Sequence, residues 1–136
     1  MCMLTTQSGK IAKKDIVCYV VRRLDENNNI CSLFQDNIWQ VGVLYSIKEK
    51  SVIHHPSEIR GGFYHSFRYL KDAKYHICPE WKKYEKHTNK IFKAIIPKGS
   101  YYVLGMCDRN NTIYECYGNG SLAYVSKRLK LVEEVT

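Results

Sequence analysis

Short apolar runs rich in β-branched and aromatic residues alternate along this chain with polar breaks rich in Asn, Asp, Gly and Pro. Residues 15–24 (DIVCYVVRRL) are the first such run, too short for a buried helix, which predicts a central strand. Asp25, Glu26, Asn27, Asn28 and Asn29 predict a turn, because Asp and Asn tolerate tight reversals. Residues 30–35 and 38–45 predict two further strands around Asp36 and Asn37, with Gly42 marking a bulge or the close approach of another backbone. From 46 to 60 the periodicity is lost and Pro56 forbids a regular element. This is the longest expected loop, and long loops disproportionately carry function.

Gly61 and Gly62 then lead into Phe63-Tyr64-His65-Ser66-Phe67. Leu70, Ala73 and Ile77 follow at spacings of three and four, so a helix is expected after Ser66, with Ser66 as its cap and Pro79 as its stop. Residues 80–88 predict a second short turn of helix, with Trp81 and Tyr84 on one side and Lys82, Lys83 and Lys86 around it. Phe63 and Phe67 would anchor the helix on the sheet. Residues 90–96 predict a strand, and Pro97-Lys98-Gly99-Ser100 a turn with proline at its first inner position. Residues 101–106 and 112–117 predict a hairpin around 108–111. Gly118-Asn119-Gly120-Ser121 predicts another turn, and 122–134 alternates as one last strand. The expected fold is α+β: a single domain over residues 1–136, with a mostly antiparallel twisted sheet of about seven strands and one helical region at about 67–88. Residues 1–14 read as a loose lead-in.

Composition narrows the class. A chain of 136 residues with 45% hydrophobic and 25% charged residues suits one globular domain with a real core. No run reaches the roughly 18 apolar residues that span a bilayer, and the first ten residues lack the apolar centre of a signal peptide. A cytoplasmic protein with no membrane partner is expected, and so the six cysteines are expected as free thiols. No C-x-x-C pair supports a zinc site.

The net charge of +8 is uneven: residues 68–98 hold nine basic and three acidic side chains, three quarters of the excess. Lys82, Lys83, Lys86, Lys90 and Lys93 interleave there with Trp81, Tyr84 and Phe92. Cations can hold phosphates while aromatics stack on bases, so nucleic acid or another polyanion is the partner class this window suggests.

The order of Asp15-Ile16-Val17-Cys18-Tyr19, then Gly62-Phe63-Tyr64-His65-Ser66-Phe67 with Leu70-Lys71-Asp72-Ala73, then Lys93 to Tyr102 with its Ile-Pro-Lys-Gly-Ser turn, then Tyr124-Val125-Ser126-Lys127, resembles a small domain family of unknown function. That family is common in Bacteroides-type gut bacteria and their phages. The resemblance spans most of residues 10–134 and implies a phage or mobile-element provenance, hence host cytoplasm or virion, without implying an activity. Tyr64 is one residue more than the family's usual segment carries, and Lys127 stands where Asp is typical. A fainter likeness is to ADP-ribosyltransferases. Arg22 or Arg23, then Phe63-Tyr64-His65-Ser66, then Glu115 fall in their order, which would imply Arg22, His65 and Glu115 as catalytic residues and NAD as cofactor.

Neighbouring strand residues face opposite ways, so His65 and Ser66 do not make a base and nucleophile on one face. His54 and His55 beside Pro56 read as a solvated loop, and Lys98-Gly99-Ser100 as a turn, since no upstream glycine or following helix completes a phosphate loop. The first expectation is a non-enzymatic accessory protein without cofactor or metal. It would bind a polyanion or a protein partner through Tyr64, His65, Trp81, Lys82, Lys83, Tyr84 and Lys86. The alternative is an ADP-ribosyltransferase-like domain acting on or binding a nicotinamide dinucleotide.

Overall fold

The computed structural model describes residues 3–5, 9–32, 37–47, 57–59, 63–75, 88–107 and 121–135. Its strands are β1 (Met3–Thr5), β2 (Lys10–Ile11), β3 (Ile16–Leu24), β4 (Ile30–Cys31), β5 (Ile38–Trp39), β6 (Leu44–Ser46), β7 (Ser57–Ile59), β8 (Tyr64–Phe67), β9 (Thr88–Ile96), β10 (Tyr101–Cys107), β11 (Ser121–Ser126) and β12 (Arg128–Val135). One helix among the described residues, α1 (Leu70–Tyr75), follows β8. All twelve strands share one sheet in the order β6-β12-β9-β3-β8-β11-β10-β1-β7, with β2 on β10 and β4 joining β3 to β5. Every pairing is antiparallel.

The mostly antiparallel α+β architecture stands as expected, but with twelve strands among the described residues rather than about seven. Much of the surplus is strands of two or three residues, too short for alternation to register; β8 and the break of the last run into β11 and β12 supply the rest. The expected lead-in holds two of the short strands: β1 and β2 both pair with β10. Ala12, buried, accepts from Gly99 N–H at 2.8 Å and donates to Ser100 O at 2.9 Å.

In the sheet, β11 and β12 stand four places apart, yet only Lys127 separates them in the chain. Four places across a flat sheet is about 19 Å, whereas Ser126 and Arg128 are at most about 7 Å apart. The sheet therefore curls, and β11 and β12 are two halves of one bent strand. β9 and β10 bend beside them around Pro97–Ser100. That turn closes with Ser100 N–H donating to Pro97 O at 3.0 Å, and Gly99 has a φ of +86°. Lys98 and Gly99 are thus the inner residues, and Pro97 stands one place earlier than expected.

Two apolar clusters lie on the two faces. Phe67, Val21, Ile91, Val103, Ala123 and Val125 form the helix face, over which α1 lays Leu70 and Ala73 beside Phe63. Burying a side chain such as Phe67 contributes about 1.5–3 kcal/mol. Cys18, Val20, Phe92, Ala94, Ile96, Leu129 and Leu131 belong to the far face, with Trp39 over it. A register shift between Leu131 and Glu133 interrupts the β12–β9 ladder. A one-residue slip exchanges faces, so Glu134 joins Leu131 on the far face while Val135 packs on the helix face. Gly42 donates its N–H to Leu131 O at 2.8 Å beside this bulge, but a Cβ there would meet nothing within 4 Å, so its φ of +86° rather than the expected close approach is what favours glycine.

Of the expected helical region of 67–88, residues 76–87, with most of the expected second turn at 80–88, lie outside the described residues. Phe67 ends β8, Thr88 opens β9, and α1 covers 70–75. Ser66 does not cap it. Asp72 and Ala73 donate to Tyr69 O at 3.1 and 3.3 Å, which makes Tyr69 the residue at the helix start. Ser66 lies inside β8, fully buried. The expected strand 38–45 breaks at Val41-Gly42, and the expected run 122–134 breaks at Lys127. Besides β1 and β2, β10 pairs with β11; residues 112–117, its expected hairpin partner, lie outside the described residues.

Candidate functional site

β3 is apolar on both faces until it reaches Arg22 and Arg23, where alternation sends one guanidinium to each side of the sheet. Arg23 donates Nε to Ser32 O at 3.0 Å. Arg22, on the far face, is only 9% exposed. It donates Nη1 to Val21 O at 2.9 Å, and its Nε finds no partner. Above it lies Trp39, with the guanidinium carbon 4.7 Å from the ring centroid. The indole is fixed by its N–H donating to Ser32 Oγ at 3.0 Å. Tyr45 and Tyr64 pack against that indole at 4.5 and 5.3 Å between centroids.

Directly across the β3–β9 ladder from Arg22 stands Lys90. Lys90 has a carboxylate, Glu134 Oε1 at 3.4 Å, delivered to this face by the bulge in β12. Arg22 has none among the described residues. Burial lowers its pKa from 12.5 to about 10, which still leaves it charged at neutral pH.

Further along the face, burial pushes the Cys18 thiol up to about 12, against a smaller opposing effect of the Ser66 hydroxyl. A thiol is a weak partner, so this contact does not satisfy Ser66 Oγ, which makes no other hydrogen bond. Cys18 and Cys31 are buried; the other four cysteine side chains lie outside the described residues. Tyr64 and Tyr124, also on this face, have raised pKa values, burial being the first cause of each.

His65 follows Tyr64 on β8 and points to the opposite, helix face. Its Nε2 is buried without a partner, and burial lowers its pKa to about 4. Arg22 and His65 are therefore near each other but on different faces. Glu115 lies outside the described residues, as do Trp81, Lys82, Lys83, Tyr84 and Lys86. No group of three metal-ligating side chains occurs among the described residues, and no helix among them is long and apolar enough to cross a membrane.

A second cationic feature sits where β8 passes into α1. Tyr69 is 42% exposed. Arg68 and Lys71 bracket it, with Cζ 5.3 Å and Nζ 5.5 Å from the ring centroid. Arg68, Lys71 and Lys74 are all exposed, and among the described residues no carboxylate pairs with Arg68 or Lys71.

Pattern reading overlooked Trp39, Lys90 as a partner in register with Arg22, and Glu134. Two consecutive arginines in an otherwise apolar central strand were the available signal, because one of them had to enter a buried face. The chain matches no family model, no curated protein and no solved structure.

Proposed function

We propose that this protein is a small non-enzymatic accessory protein that binds a polyanion, nucleic acid foremost. The observation that carries the reading is the Arg68–Tyr69–Lys71 cluster, two exposed cations on one exposed ring with no carboxylate on either cation among the described residues. It opens the 68–98 window that holds most of the net charge. Lys71 and Lys74, three apart on α1, extend the same cationic surface. Unneutralised cations of this kind gain from releasing the counterions of a phosphate backbone. The provenance suggested by the family resemblance, a phage or mobile element acting in a host cytoplasm, is compatible with such a role.

Binding of a mixed-sequence single-stranded oligonucleotide, followed by anisotropy across salt concentrations, tests the reading. Affinity should fall steeply with salt, and Arg68→Ala/Lys71→Ala should reduce the logarithmic slope by about 1.4. A flat salt response would end the polyanion reading. A protein partner is the second reading, supported by the exposed apolar side chains of Ile38, Val41, Val43 and Leu44 around the terminal strand β6. Nothing among the described residues favours the NAD-dependent alternative.

A further inference from the structure

Arg22 poses a different question from the exposed lysines. A guanidinium presents five N–H donors in a fixed fork, and among the described residues only Nη1 donates, to Val21 O at 2.9 Å. Nε is buried and unpartnered. The Trp39 ring at 4.7 Å attracts the cation, but such a contact returns much less than stripping water from a guanidinium costs. The strand opposite makes matters worse, because it places Lys90 level with Arg22. Like charges facing each other across a ladder repel.

Glu134 partly relieves the repulsion by pairing with Lys90, not with Arg22. A carboxylate is thus within reach of the pair, and the guanidinium fork is still left without an anion. Lys90 and Glu134 are each about two-fifths exposed, which opens this end of the face to solvent.

We infer that Arg22 and Lys90, beneath the Trp39 indole, form a binding site for an oxoanion group, a phosphate or a carboxylate. The fork would receive two oxygens, as guanidinium geometry favours, and Lys90 would supply a second positive charge from the adjacent strand. The aromatic wall of Trp39, Tyr45 and Tyr64 lowers the local polarity and so strengthens each charge-assisted bond. The inference stands on Arg22 and does not rest on polymer binding at Tyr69.

Thermal denaturation of the full chain tests it, in low millimolar sodium phosphate, sodium acetate or sodium chloride at equal pH and ionic strength. The wild-type chain should melt several degrees higher in phosphate, in acetate or in both than in chloride. Response to phosphate alone assigns a phosphate group, and response to acetate alone a carboxylate. Arg22→Met keeps the bulk and removes the charge. It should melt no lower than wild type in chloride and lose the anion response. Lys90→Met, at the solvent-open side, should weaken the apparent anion affinity at least about tenfold. Identical melting in all three salts overturns the inference, as does an undiminished response in Arg22→Met. Should Arg22→Met not fold, an undiminished response in Lys90→Met overturns it equally.

Discussion

Lys127 lies across the ring of Tyr101, its Nζ 4.8 Å from the centroid, while its own N–H donates to Tyr101 O at 3.1 Å. The two residues hold the corner where β11 turns into β12 and β10 leaves the Pro97–Ser100 turn. Gly9 closes the corner from the third side: a methyl group there would overlap the Tyr101 hydroxyl and ring. The ring cannot simply swing away, because Lys127 covers it and it packs on the helix-face cluster. Gly9→Ala should therefore cost about 1–3 kcal/mol in urea denaturation. In a Tyr101→Ala background the same substitution should cost little, and an equal cost in both backgrounds would refute the packing account.

Ser66→Ala separates the two roles the residue was open to. An N-cap serine is worth about 1 kcal/mol, so a cap would be missed. A hydroxyl buried in β8 with only a thiol for company contributes little, and removing it relieves an unsatisfied group. Equilibrium unfolding of Ser66→Ala should show stability unchanged or raised. A loss of about 1 kcal/mol would restore the capping role.

What the sequence made legible and what it hid follow from how local each cause is. β3 was readable because Cys18 and Val20 face one cluster while Tyr19 and Val21 face the other. The turn after it was readable because Asp25 organises it alone, its Oδ1 accepting from Asn27 and Asn29 N–H at 2.8 Å each, with Asn28 at a φ of +61°. The break at Lys127 was hidden because apolar alternation runs on through a bend that only neighbouring strands impose. The bulge before Glu133 was hidden likewise, and with it the arrival of Glu134 beside Lys90. Ser66 misled because serine before a helical pattern is locally a cap, and burial in the sheet outweighs that preference. Of the candidate site, Arg22 was named only through a likeness in residue order, although a cation in an apolar strand was there to be read; Trp39 was not legible, since only the β4–β5 pairing sets it over the guanidinium.

Gly99 isolates the cost of backbone conformation. Its φ of +86° is one that L side chains rarely adopt, and a methyl group there would meet nothing within 4 Å. Gly99→Ala should thus cost about 1–2 kcal/mol through the dihedral alone. Gly99→Asn should cost less, because Asn tolerates positive φ. Equal losses in the two variants, measured by denaturant midpoint, would point to something other than the turn's geometry.

His65 ties stability to pH through a single buried imidazole. Its Nε2 has no partner, and burial, with the Arg22 charge nearby, lowers its pKa from 6.5 to about 4. Protonation is then easier in the unfolded chain than in the folded one. The neutral ring's contribution is fully present above pH 6.5 and is lost as pH falls from there to about 4. A shift of this size corresponds to on the order of 3 kcal/mol. The difference between two chains is the informative quantity, because it cancels what the rest of the chain contributes. Across that window the wild type should lose more stability than His65→Leu, by up to that amount, with the two curves parallel at higher pH. Side-chain NMR should place the His65 midpoint near pH 4 and, in Arg22→Met, closer to its ordinary value, since one neighbouring positive charge has gone. A His65 midpoint near 6.5 in the wild-type chain would remove both expectations together.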